Sequence, residues 1–226
     1  MSEKTKELFK DAVKKYFAGL VGVWLLLFIP AWSFNYWNGW LFMFLLFVPM
    51  FFAGIYLLFK NPRLLRSRLD VKEKEKDQQE VIKYSGIMFV LGFISAGLSF
   101  RFHFLVLPKF IVLIGSILFL ISYLFYAEVL KENSYLSRVI KVDEDQELVD
   151  TGLYGFVRHP MYAVTLILFL SIPLILGSLI SFIIFLMYPF IIIKRIKNEE
   201  QVLEKELKGY KEYQKKVKYK LIPFIY

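Results

Sequence analysis

Residues 16–59 read YFAGLVGVWLLLFIPAWSFNYWNGWLFMFLLFVPMFFAGIYLLF, and these 44 positions contain no charged residue. About 20 apolar residues in an α-helix are enough to cross the hydrocarbon core of a bilayer. The run is therefore long enough for two membrane-spanning helices joined by a turn. Its middle, Asn35-Tyr-Trp-Asn-Gly-Trp40, supplies that turn and carries the aromatic residues typical of a membrane–water boundary.

Three more uncharged runs follow, at residues 84–100, 110–127 and 160–193. The first two are each near the lower limit for one span. The third is too long for one helix and short for two full spans, and Gly177-Ser178 near its centre is a turn signal. It predicts a hairpin of two short helices. The fold class is therefore an all-α, polytopic integral membrane protein with about six helical segments, namely four spans and the two helices of a C-terminal hairpin, followed by a cytosolic tail helix.

The positive charges lie on one side of these segments. A net charge of +9 could suggest nucleic acid, but the side opposite the termini holds only Arg101 and Lys109. This asymmetry is that of loops facing the cytosol, and basic residues there favour anionic lipid headgroups. We expect an integral membrane protein (of the plasma membrane, if prokaryotic) with both termini cytosolic and no nucleic-acid partner. The remaining Lys and Arg fall almost entirely in residues 1–15, 60–83, 131–158 and 194–220.

The chain is expected to form a single membrane domain, residues 1–226, with a helix pair and basic loop in 1–83 and a core in 84–226. The absence of cysteine excludes disulfides, thiolate zinc sites and cysteine nucleophiles, and we expect no metal. Residues 71–80 and 143–147 are interpreted as solvated segments, since the acidic run lacks the spacing of a calcium loop. Residues 1–15 do not resemble a cleaved signal peptide.

The polar stretch Thr151-Gly-Leu-Tyr-Gly-Phe-Val-Arg-His-Pro-Met-Tyr162 lies directly before the last apolar run, and Arg195-Ile-Lys-Asn-Glu-Glu200 follows it. A hairpin brings both clusters to one membrane face. Pro160 suits the first turn of a helix, which places His159 at a helix N-terminus, where backbone N–H groups attract anions. A basic interfacial anchor is the alternative. Tyr154 and Tyr162 suit either cation–π contacts or an interfacial belt.

Arg195 and Glu199 are four residues apart, on one face of a helix. They form either a surface ion pair or a site in which Arg195 binds an anionic substrate group and Glu199 a ligand ammonium. The residues alone leave both interpretations open. No Gly-x-Gly-x-x-Gly, Walker or His-Glu-x-x-His motif is present, so a nucleotide-like cofactor would be held by loops at the membrane edge.

Taken together, these motifs make residues 84–224 resemble the isoprenylcysteine carboxyl methyltransferase family and its relatives, the phospholipid N-methyltransferases. The resemblance is carried by the order of Gly152-x-Tyr154, Arg158-His-Pro-x-Tyr162, a helical hairpin, Glu199-Glu200, and Tyr210-x-x-Tyr213 with Leu221-x-Pro223. Two departures are Leu207-Lys208-Gly209, where the family has Phe-Gly, and a spacing from Glu200 to Tyr210 that is one residue short.

This resemblance implies S-adenosylmethionine (SAM) as cofactor, bound on the cytosolic side by residues 146–162 and 195–213. It implies that Arg195 is catalytic and faces the reacting end of the substrate. The implied cofactor-binding residues are Tyr154, His159, Pro160 and Tyr162, the backbone of Leu148 and Val149, and Glu199 or Glu200.

The implied activity is SAM-dependent methyl transfer to a lipid-like or membrane-partitioned acceptor, most like carboxyl O-methylation of an isoprenylcysteine. A phospholipid amine and a small thiol are alternative acceptors. Two other classes of function stay open: an NADPH-dependent membrane reductase, and a non-catalytic membrane protein of the same fold.

Overall fold

The structure, a computed structural model, describes residues 3–70, 76–137, 139, 142 and 145–226. Residues 71–75, 143 and 144, which belong to the two segments expected to be solvated, lie outside the described residues. A 3₁₀ turn, Gly152–Gly155, precedes the C-terminal hairpin. The α-helices are α1 (Glu3–Ala31), α2 (Trp37–Lys60), α3 (Pro62–Leu69), α4 (Lys76–Phe102), α5 (Lys109–Glu132), α6 (Pro160–Ile175), α7 (Leu179–Phe185), α8 (Tyr188–Glu206) and α9 (Tyr210–Lys216).

Among the described residues, five helical stretches are long and apolar enough to cross a membrane: α1, α2, α4, α5 and the α7–α8 limb, Leu179–Glu206. Large side chains point outward from these helices, such as Phe44 at 63% exposure and Leu124 at 73%. Water would oppose this exposure, whereas lipid chains accept it. The all-α, polytopic membrane fold expected from the sequence is confirmed.

The turn of the C-terminal hairpin falls where the sequence predicts it. Gly177 has a φ of +70°, which suits glycine, and the Ser178 hydroxyl accepts a hydrogen bond from the Ser181 N–H at 3.2 Å. The second limb differs from the expected short helix, because α8 continues through the charged residues to Glu206. The helical part of the tail is thus the end of this limb, and Gly209, with φ of +86°, separates it from α9.

The hairpin turn reaches the end of the bundle where the α1–α2 and α4–α5 turns lie. The Tyr36 hydroxyl donates to the Leu176 carbonyl at 2.8 Å, and the Asn38 amide donates to the Ile175 carbonyl at 2.9 Å. In the loop between α4 and α5, the Leu105 carbonyl accepts from the backbone of the α7 start at 3.0 Å. The polar clusters before α6 and along α8 are consequently carried to the opposite end, here called the site end.

The start of α4 also belongs to the site end. Because α4 begins at Lys76, the division drawn between residues 83 and 84 falls inside this helix. Gln78 is fully buried against α8, so the expectation of a solvated surface is wrong for this residue, while Gln79 and Glu80 are exposed. The sequence interpretation failed here because a helix that starts among charges can still bury one polar face.

Candidate functional site

The α6 N-terminus lies beneath the C-terminal tail. Pro160 occupies the first turn of α6, as its missing N–H allows, and His159 is the N-cap residue. The backbone N–H groups of Arg158 and His159 donate to the carbonyls of Tyr219 and Lys220 at 2.9 and 2.8 Å. The tail is therefore bonded to the chain that leads into the helix.

Glu200 stands at the centre of a buried charge network. Its carboxylate accepts from Arg158 Nε at 2.8 Å and from Lys220 Nζ at 2.6 Å, and His159 Nε2 lies 3.2 Å away. Arg158 Nη1 also donates to the carbonyls of Val217 and Lys218, at 2.7 and 2.9 Å. A buried carboxylate is stable only when cations and hydrogen bonds replace its lost hydration, and Glu200 has both.

This network changes the interpretation of Arg158. The sequence suggested that its charge would serve a ligand at the helix N-terminus, but the structure directs the guanidinium at Glu200 and at tail carbonyls. The charge of Arg158 joins α6, α8 and the tail into one unit.

The second carboxylate, Glu199, has different surroundings. It is only partly buried and accepts a short hydrogen bond from the Tyr162 hydroxyl. The same hydroxyl accepts from Arg195 Nε at 2.9 Å, and the guanidinium lies 5.8 Å from the centre of the Tyr162 ring. The His159 ring stacks on Tyr162, with centroids 5.6 Å apart. Arg195, Tyr162 and Glu199 thus form one connected chain on facing sides of α6 and α8.

Tyr154 is held in place by hydrogen bonds from two other segments, the end of α5 and α9. Its hydroxyl accepts from the Asn133 amide at 3.1 Å, and its carbonyl accepts from the Tyr213 hydroxyl at 2.7 Å. Burial raises the pKa of Tyr154, with a further rise from the nearby Glu199 charge. Burial likewise raises the pKa of Tyr213. Both phenols therefore stay neutral hydrogen-bonding groups at physiological pH.

The turn that carries Tyr154 is fixed by the end of α5. The Glu132 carboxylate accepts from the Leu153 N–H at 3.0 and 3.1 Å. Gly152 has a φ of +53°, and a Cβ there would lie 1.8 Å from a Glu132 oxygen. Glycine is thus required both by the backbone angle and by the closeness of the carboxylate.

Leu148 and Val149 pack on two sides of the site. Val149 packs against the apolar cluster that contains Tyr154 and Met161. Leu148 packs against the cluster of Leu207, Tyr210, Tyr213 and Val217. Every residue expected to bind the cofactor therefore lies at the site end.

The buried donors at this end that have no hydrogen-bond partner among the described residues are the Asn198 amide nitrogen and the hydroxyls of Tyr210 and Tyr226. Burial also raises the pKa of Tyr210. Residues 204–212, which include Tyr210, line a depression of about 320 Å³. Buried polar atoms without partners are rare in native proteins, so these groups are candidates for polar contacts with a ligand. Within the described part of the chain, no group of three His, Asp or Glu side chains could hold a metal ion.

The sequence did not identify several residues of this end, among them Gln78, Glu132, Asn133 and Lys220. They contact the site from three segments, the start of α4, the end of α5 and the tail, and none lies in a motif that assigns it. Lys220 has the nearest signal, because it directly precedes the Leu221-x-Pro223 motif.

The fold and the site together define an all-helical integral membrane protein with a polar site at one end of its helix bundle. Residues 99–205 match the isoprenylcysteine carboxyl methyltransferase (ICMT) family, which confirms the resemblance drawn from the motifs. The matched stretch includes both polar clusters, residues 151–162 and 195–200. The first two helices lie outside it.

A curated relative from Mus musculus, Delta(14)-sterol reductase, is 34% identical to this chain over 84 residues. The aligned region is 36% of this chain and 20% of that protein, so the chain matches about a fifth of the length of this relative.

Proposed function

We propose that this protein is a SAM-dependent methyltransferase that acts on a lipid-like or membrane-partitioned acceptor, most like carboxyl O-methylation of an isoprenylcysteine. The observation that carries the proposal is the connected group Arg195–Tyr162–Glu199 at the site end of two membrane helices. It lies inside the stretch that matches the ICMT family. Arg195, a cation suited to an anionic acceptor, thus lies close to Glu199, a carboxylate suited to the ammonium of a cofactor.

The residues present suit SAM, which carries an ammonium, a carboxylate and a sulfonium. Glu199 can accept from the ammonium, since its carboxylate accepts from the neutral Tyr162 hydroxyl and keeps oxygen lone pairs for another donor. Asn198 and Tyr210 offer two buried donors for oxygen or nitrogen acceptors of the cofactor. The stacked His159 and Tyr162 rings offer aromatic faces to a sulfonium. When bound, SAM would supply a methyl group activated for transfer.

We assign the two adjacent carboxylates to different tasks. Glu200 already accepts from Arg158 and Lys220 and lies beside His159, so a ligand ammonium would have to displace a partner. Glu199 accepts from the Tyr162 hydroxyl and is more exposed. In this proposal Glu199 holds the cofactor, and Glu200 holds together the elements around it.

For the chemistry, the chain has to align donor and acceptor and exclude water. A carboxylate acceptor needs no general base, and Arg195 would orient it through charge-assisted hydrogen bonds. A thiol acceptor must ionise, which a nearby guanidinium favours, and an amine acceptor must be neutral, which a guanidinium also favours. The proposed role of Arg195 is therefore compatible with all three acceptors and is most direct for a carboxylate.

We also propose that the site end faces the cytosol. The N-terminus of α1, helix α3 and the charged end of α8 all lie at this end and are rich in Lys and Arg residues. Arg101 and Lys109 are at the other end. The excess of positive charge on one side supports this orientation.

A second candidate is a membrane reductase that uses a nicotinamide cofactor. It is favoured by one observation, the 34% identity to a protein named Delta(14)-sterol reductase over 84 residues. The same site would then bind NADPH, and the basic residues at the site end would contact its phosphates.

The first test is calorimetric titration of the detergent-purified protein with S-adenosylhomocysteine and, separately, with NADPH. We expect micromolar binding of S-adenosylhomocysteine that is lost in Glu199→Gln. The matched control is Glu128→Gln, which neutralises an exposed carboxylate on α5 that pairs with Lys131. Binding of NADPH without binding of S-adenosylhomocysteine would replace the methyltransferase proposal with the reductase.

The acceptor class is tested with radiolabelled SAM and three acceptors in mixed micelles: N-acetyl-S-farnesylcysteine, phosphatidylethanolamine and a long-chain thiol. Label transfer to the prenylated carboxylate is the expected result. Transfer only to the phospholipid or only to the thiol would keep the reaction class and change the acceptor.

A further inference from the structure

Gln78 contacts both the backbone and the side chain of Arg195. Its amide nitrogen donates to the Arg195 carbonyl at 3.3 Å, and its amide oxygen accepts from Arg195 Nη1 at 3.4 Å. Gln78 is fully buried at the start of α4, although polar residues are rarely buried without a partner. The two bonds explain its burial and fix the helix that carries Arg195 against α4.

The guanidinium is consequently held from two sides. Tyr162 on α6 accepts from Nε at 2.9 Å, and Gln78 on α4 accepts from Nη1. An arginine side chain has several rotatable bonds, and fixing it in advance lowers the entropy lost when it binds an anion. Three helices that are distant in sequence thus determine where one cation points.

The absence of charge on the Gln78 amide matters as much as its position. A carboxylate at this place would form a buried ion pair and cancel the charge that an anionic ligand needs. An amide orients the guanidinium without adding a negative charge beside it. Nearby, Glu80 and Lys194 join the same two helices at 2.7 Å, but this pair is exposed and contributes little to stability.

We infer that Gln78 is a positioning residue, which orients Arg195 toward the anionic end of the methyl acceptor. The inference rests on the proposed function and adds to it a determinant of acceptor recognition that lies outside the residues matched to the family. Cofactor binding is assigned to Glu199 and its neighbours, so a change at Gln78 should alter acceptor binding and leave cofactor binding nearly unchanged.

The test uses two variants and a control. Gln78→Met removes both hydrogen bonds at nearly constant volume, and Gln78→Glu keeps the acceptor for Nη1 but introduces a negative charge. Gln79→Met changes the exposed neighbour and serves as the matched control. The ligands are S-adenosylhomocysteine, followed by N-acetyl-S-farnesylcysteine or its carboxamide, titrated into the saturated protein.

We expect all variants to bind S-adenosylhomocysteine within about twofold of the wild-type protein. The wild-type protein and Gln79→Met should bind the carboxylate about tenfold more tightly than the carboxamide. This ratio corresponds to roughly one hydrogen bond to a charged group. This preference should be lost in Gln78→Met and in Gln78→Glu. A structural role alone would lower the melting temperature and leave the ratio of the two affinities unchanged.

The outcomes separate the two proposals. A wild-type protein that does not bind S-adenosylhomocysteine overturns both. A wild-type protein that binds it but does not prefer the carboxylate, or a Gln78→Met variant that keeps the preference, overturns only the role of Gln78. Equal loss of cofactor and acceptor binding in Gln78→Met would also overturn it, because the residue would then support the whole site.

Discussion

Replacing Glu200 tests whether this residue holds the site end together or binds the cofactor. Its carboxylate contacts Arg158 at 2.8 Å and Lys220 at 2.6 Å, and its side chain is 7% exposed. Removing one partner of a buried ion pair costs about 3–5 kcal/mol, because a charge is left without compensation. Lys220 is 27% exposed and can turn toward water, whereas Arg158, at 7%, cannot. For Glu200→Ala we therefore expect a loss near the lower bound, about 3 kcal/mol.

Glu200→Gln should cost less, about 2 kcal/mol, because the amide keeps one oxygen for Arg158 but turns a donor toward Lys220. On the scale of soluble domains of this size, 1 kcal/mol changes the melting temperature by about 2–4 °C. The Ala variant should then melt about 6–12 °C below the wild-type protein. Glu199→Gln, the adjacent control, should melt within about 3 °C of it, since the contact it weakens is partly exposed.

The assay is thermal unfolding of the detergent-solubilised protein, followed by tryptophan fluorescence and by size-exclusion recovery, with and without S-adenosylhomocysteine. If the assignment is correct, Glu200 variants lose stability, and the Gln variant, when folded, still binds the cofactor product. The Glu199→Gln variant should instead keep its stability and lose binding of S-adenosylhomocysteine. A Glu200→Ala protein that melts with the wild-type protein but cannot bind S-adenosylhomocysteine would refute the reasoning and exchange the roles of the two carboxylates.

Two further changes test the geometry around Tyr154 and Tyr162. Gly152→Ala should lower the free energy of unfolding by about 1–3 kcal/mol, because φ is positive there and the new Cβ would meet the Glu132 carboxylate. Thermal unfolding measures this loss. The control Gly155→Ala should change stability little, because the atom nearest to its new Cβ would be the Asp150 carbonyl oxygen at 3.5 Å. Tyr162→Phe keeps the ring that stacks on His159 but loses the hydroxyl shared by two charged groups, so binding of S-adenosylhomocysteine should weaken about tenfold while the melting temperature changes little. Unchanged affinity in this variant would contradict the proposed cofactor contact.

Much of the fold follows from the sequence because a bilayer imposes a simple rule. A backbone in hydrocarbon must satisfy its own hydrogen bonds, so long uncharged runs become helices whatever their other residues are. Residues 16–59, 84–100 and 110–127 gave four spans for this reason, and the spans α1, α2, α4 and α5 are observed. Gly177 marked the hairpin turn because its positive φ strongly favours glycine.

The ends of the helices were less predictable. The length of an uncharged run predicts the part of a helix that lies in the membrane. Helix α8 continues beyond it to Glu206, because Ile196, Glu200 and Leu203 recur at helical spacing and form one packed face among the charged residues. The same effect carries α4 back to Lys76. Hydropathy measures the transfer of side chains into lipid, and it contains no information on helix–helix contacts beyond the membrane boundary.

The proposed division of tasks between Glu199 and Glu200 illustrates what motif order cannot supply. Adjacent residues on a helix point about 100° apart, so two identical side chains can face entirely different neighbours. One faces Tyr162 and Arg195, the other faces Arg158 and the tail. Only the folding of residues 217–220 over the start of α6 determines which carboxylate is neutralised by the protein itself. The carboxylate that remains less satisfied is the one that a ligand cation can approach, and that inference requires the three-dimensional contacts.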